Sequence, residues 1–191
     1  TLSVTVAPAA AASVIANLTD IETVKITNGG AAAQTVNMIS ATGVTSIENR
    51  LSSQDVTLTN VQALATVTAN GSTAGETTVS FANSLVSGAA DTISLALTND
   101  ATAQFNVGGT TASNEFDVIN VSSTGGTLNT LSTIEASDST ALVKKVAINI
   151  TGDTALTVGA IATGAASTIN AADFTGVLKI TASANNASIT G

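Results

Sequence analysis

The chain has 191 residues, 44% of them apolar but only 2% aromatic, and its thirteen acids against five bases give a net charge of −8. With no basic stripe to displace counterions, it is excluded as a nucleic-acid binder, and the same sign disfavours an anionic membrane surface. Having neither Cys nor His, it has no disulfides, no thiolate chemistry, no usual zinc ligand and no Ser-His or Cys-His arrangement.

Leu2, Val4 and Val6 alternate with Thr and Ser, the period of a half-buried strand, and Pro8, the only proline, ends it. Ala9 to Asn17 admits a helical turn, a short buried strand or a loop. Leu18 to Gly30 is the next unit, with Leu18, Ile21, Val24 and Ile26 apolar and an Asn-Gly-Gly corner at its end. A related phrase, aliphatic then two small residues then Ile or Val, returns at Val44, Leu64 and Leu131. Its spacing is in the range of solenoid turns but irregular.

Further strands are expected at Val56–Thr59, Thr77–Phe81, Thr92–Thr98, Phe116–Ser122, Val143–Thr151 and Ala155–Val158. Corners follow at Asn70-Gly71, Gly88, Asn99-Asp100, Gly108-Gly109, Gly125-Gly126 and Gly152-Asp153. The glycine pairs open no helix and carry no Lys-Ser/Thr partner, so they are corners rather than phosphate loops. The fold class is therefore all-β. A parallel β-helix (β-solenoid) is favoured, because a core of Ala, Val, Ile, Leu and Thr suits a thin interior repeated along an axis. An antiparallel β-sandwich, which calls for larger core side chains, is the alternative. Residues 1–191 are expected to form one elongated domain, with a weak subdivision near 100–110. Phe81, Phe105, Phe116 and Phe174 are expected to fill the few wide places in the core or cap an end.

Carboxylates at corners are the only candidates for chemistry. Asp100, Asp117, Asp138, Asp153 and Asp173 are placed where side-chain and carbonyl oxygens can converge on calcium, which takes six to eight of them. Plain turn chemistry, Asp and Asn bonding to nearby backbone, is the better account of any single one. Paired acids also serve glycosidases, but sugar clefts are usually floored by Trp or Tyr, which this chain lacks. No enzyme is expected. Lys144-Lys145 reads as a solvated strand end. No charged n-region with an apolar h-region opens the chain, and no apolar run is long enough for a membrane span. The start at Thr1 and stop at Gly191 have the look of a portion of a longer protein.

The last stretch, from Thr168, reads turn, strand, turn, strand. Within it Asn170, Ala171, Asp173 to Gly176, Leu178, Ile180 and Ile189 to Gly191 resemble a phrase of type I-secreted bacterial surface-layer (S-layer) proteins and related RTX adhesins, where it runs into calcium repeats. No calcium repeat is present here. The resemblance implies a secreted structural segment on the bacterial cell surface, assembling with copies of itself into a calcium-dependent lattice. Contact with surface polysaccharide would fall to other domains, without membrane insertion. The alternative it implies is the stalk or binding module of a large secreted adhesin.

Overall fold

A computed structural model describes residues 1–71, 75–100, 103–109, 115–135, 145–162, 167–181 and 186–191. They form β1 (Leu2–Val6), β2 (Ala12–Leu18), β3 (Thr23–Asn28), β4 (Gln34–Ala41), β5 (Ser46–Arg50), β6 (Val56–Val61), β7 (Thr66–Asn70), β8 (Thr77–Phe81) and β9 (Thr92–Thr98). These are followed by β10 (Ala103–Gly109), β11 (Val118–Thr124), β12 (Asn129–Glu135), β13 (Ala147–Gly152), β14 (Leu156–Ala162), β15 (Ser167–Asn170), β16 (Leu178–Ile180) and β17 (Asn186–Thr190). Odd strands make one nine-stranded sheet, the first, and even strands an eight-stranded second sheet. All pairings are parallel, each strand bonding to the strand one coil away. The chain is a β-solenoid.

The period-two alternation sets which side chains go in. In β3 the pattern buries Val24 and Ile26 and turns Lys25 and Thr27 outward. Parallel register then stacks like on like: Leu2, Val24, Ile47, Val67, Leu95 and Val121 form one inward column. Ile93, Ile119, Ile148, Ile169 and Ile189 form another. Facing them, Val14, Val36, Leu58, Val79 and Val107 line the second sheet. Each Ile or Leu fully removed from water contributes about 1.5–3 kcal/mol, so columns of them hold the two sheets together without large rings.

Phe81, Phe105 and Phe116 are fully buried, and Phe81 runs directly into the long corner 82–91. Phe81 and Phe116 meet edge to face, with centroids 5.4 Å apart. Phe174 packs half-buried against the last coils.

Three local expectations are corrected. Gly108 and Gly109 are not a corner: they lie buried in β10, paired with Ser80 and Phe81. The phrase at Leu131 is not the counterpart of those at Val44 and Leu64. The latter run into the first sheet at Ile47 and Val67, whereas Leu131 and Ile134 stand in the second. The strand expected at Phe116–Ser122 begins only at Val118, as β11. Of the readings left open after Pro8, the strand is the one present, as β2.

Corners are tied by buried amides. Asn129 donates to Ser123 Oγ at 2.8 Å and to the Thr124 carbonyl at 2.9 Å, and its Oδ1 accepts the Asp100 N–H at 2.8 Å. Asn28 does likewise one end away, donating to the Ala32 and Asp55 carbonyls and accepting from the Gly30 N–H. At Gly152 the corner needs φ of 115°, and an added Cβ would overlap the Ser123 carbonyl. A Gly152→Ala variant is therefore expected to lose at least about 2 kcal/mol in chemical denaturation. Gly126→Ala, where a Cβ meets nothing within 4 Å, should stay within about 0.5 kcal/mol of the parent.

Candidate functional site

The solenoid has two flat faces and two edges, and its charges are not spread evenly over them. Among the described acids only Glu48 and Glu135 lie in strands; the others fall in corners. Asp55, Glu76, Asp100, Asp153 and Asp173 lie where the chain passes from the first sheet to the second, the outbound edge. Asp20, Glu22, Asp91, Glu115 and Asp117 lie on the opposite, return edge. The faces carry mainly hydroxyls and amides, with the bases Lys25, Arg50 and Lys179 in their strands. Ser13, Thr35, Thr57 and Thr78 form one outward column, and Ser94, Asn120, Asn149 and Asn170 another. Asn149 donates to Asn120 Oδ1 at 2.9 Å, and Asn60 to Asn37 Oδ1 at 3.1 Å.

The acids expected to hold calcium are placed apart. Asp117 stands on the return edge, where its Oδ2 accepts the Asp91 N–H at 3.0 Å; the Asp91 carboxylate in turn accepts from Gly88 at 2.8 Å. Asp100 is fully buried at an outbound corner, its N–H bonded to Asn129 and its carbonyl to the Thr130 N–H at 2.9 Å. Asp153 and Asp173 are exposed on the outbound edge, and Asp153 Oδ1 lies 3.3 Å from the Thr154 hydroxyl. Asp138 lies outside the described residues. Among the described residues no three acids converge as metal ligands. Carboxylates such as Asp55, which accepts the Glu76 N–H at 2.9 Å, serve the backbone at strand starts. Among the described residues of one chain these donors do not come together as a six-to-eight-oxygen calcium site.

What the sequence reading missed is a cluster on the first face. The Lys25 ammonium pairs with Glu48, and Asn70 Nδ2 donates to Glu48 Oε1 at 2.7 Å. The three residues lie on β3, β5 and β7, so only the register of neighbouring coils brings them together. Spacing of one coil between Lys25 and Glu48 was the available signal, legible only once the period was known.

Burial pushes the Glu48 carboxyl up, but the hydrogen bonds from Lys25 and Asn70 and the nearby charges of Lys25 and Arg50 outweigh it. The net result is a carboxyl held below its ordinary 4.5.

No family model, curated protein or solved structure matches the chain.

Because the folded carboxyl is the stronger acid, its contribution to stability is complete above the ordinary value and is lost as pH falls through the folded one. Glu48→Gln is expected to cost about 1–2 kcal/mol at neutral pH. Urea titrations of both proteins should show that difference shrinking as the pH is taken below 4.5; a gap that stayed constant down to acid pH would show that the ion pair contributes nothing.

Proposed function

We propose that the chain is a structural, non-catalytic segment of a secreted bacterial surface-layer protein of the type I-secreted class, whose copies assemble side by side into a lattice on the cell surface. The observation that carries the reading is the segregation of acids: among the described residues all but Glu48 and Glu135 lie on the two edges, and the faces between them are dominated by hydroxyls and amides. Parallel ladders make the body stiff along its axis, since bending it would stretch backbone hydrogen bonds in both sheets together. The hydroxyl- and amide-rich parts of the faces make many weak contacts while desolvating few ions. Like-charged edges repel one another, which couples packing of neighbours to ionic conditions.

Calcium enters this proposal only as an ion shared between copies. The exposed outbound carboxylates of Asp55, Asp153 and Asp173 are the groups that would hold it there. Attachment to surface polysaccharide is left to other domains of the parent protein.

The test is negative-stain imaging of the parent protein dialysed with calcium and then with a chelator. Ordered sheets are expected with calcium and their dissolution without it. Changing Asp55, Asp153 and Asp173 together to Asn should abolish the response to calcium. Monodisperse rods under both conditions would overturn the lattice reading in favour of an adhesin stalk.

A further inference from the structure

Leu51 is held where a leucine is costly. It opens an outbound corner with φ of 51°, in the left-handed region. The register of β5, β7, β9 and β11 places Gly71, Asn99 and Gly125 at the same point of the following coils. Those residues have φ of 65°, 51° and 113° and are types that enter this region readily. The Leu51 N–H is fixed on the Asn70 carbonyl at 2.9 Å. Its side chain lies over Gly71, yet is 58% exposed. Arg50 beside it is also exposed. Backbone strain and an apolar group in water are two costs the isolated chain does not recover, and strain retained in this way points to a use.

The opposite edge of the same coils carries a matching feature. Between return corners 42–45 and 62–65 lies a cavity of about 130 Å³, lined by buried Met38, Ala41, Val44 and Val61 and by exposed Thr42 and Gln62. Ile39 and Leu64, their chain neighbours, are exposed. Exposed Asp20 and Glu22 belong to the adjoining corner: the Glu22 carbonyl accepts the Thr45 N–H at 2.8 Å, and Gly43 packs over Asp20. A cavity of about 150 Å³ holds benzene, and the isobutyl group of leucine is smaller than that.

We propose that Leu51 of one copy enters this cavity on the next, with Arg50 set against Asp20 and Glu22. Leu51 meets the aliphatic part of the cavity and Arg50 meets acids, so at this point two edges that are both acidic elsewhere become complementary. Knob and socket lie on opposite edges of the same coils, so the contact is heterologous and repeats into an open row rather than closing as a dimer. One such contact is far smaller than the roughly 1,200 Å² of a stable interface, and rows therefore depend on many copies engaging together. The proposal rests on the self-assembly reading above and names the surfaces that carry it.

Sedimentation velocity over a concentration series in calcium tests it. Leu51→Asn should weaken self-association at least tenfold while leaving the thermal midpoint equal or higher, because Asn relieves the backbone; a purely structural leucine would lower the midpoint. Arg50→Glu should weaken association similarly, and adding Glu22→Lys to it should restore part of the loss. If Leu51→Asn associates as strongly as the parent, this contact is wrong and the assembly reading stands. If the parent itself never associates, that reading falls and the contact with it.

Discussion

Every strand of this protein takes its backbone partners from the coil before and the coil after. Parallel pairing cannot be closed by a tight hairpin, so each coil must travel through two corners before it can bond to its own predecessor. The register between coils is thus the constraint on which the rest depends. A slip by one residue would turn Val24 and Ile26 to solvent and Lys25 inward. The isoleucine column from Ile93 to Ile189 and the amide pair Asn120–Asn149 oppose such a slip from the inside and the outside of the same sheet.

The same constraint explains where charge can go. An inward position is closed to an ion without a partner, and an outward position in a column puts like residues about 4.8 Å apart. Repeated acids in such a column would repel, so strands carry Thr, Ser and Asn instead. Corners have more room and a need for acceptors, because N–H groups at strand starts lie beyond the ladder. Asp55, Asp91 and Asp117 meet that need. Glu48 is tolerated in mid-face because Lys25 and Asn70 stand on either side of it.

Much of the architecture was legible in the sequence, for physical reasons. Alternation in Leu2–Val6 and Thr92–Thr98 declares strands, and few aromatics with many β-branched residues declare a thin repeated core. Strands with small or polar inward positions were not legible. β10, with Gly108 and Gly109 inside it, resembles a corner because glycine signals a turn unless the neighbouring coil is known to pair with it. The repeat phrase misled at Leu131 since both sheets accept an aliphatic residue followed by Ile three places on. Corner acids were found as residues, but not their partners. Asp117 bonds to Asp91 and Glu48 to Lys25 across a coil, and coil lengths vary too much for such distances to be read by counting.

Variation in coil length also concentrates individuality on one edge. Among the return corners described in full, 82–91 is long where 19–22, 42–45 and 62–65 are short. Extra residues at a corner do not disturb the ladders on either side, so insertions collect there without loss of register. Phe81, which precedes corner 82–91, packs edge to face against Phe116 in the core. The faces cannot vary in this way, because each outward residue is constrained by the neighbours stacked above and below it. Recognition of one copy by another is therefore better placed on the edges, where single positions such as Leu51 can depart from the pattern of their column without altering the coils that follow.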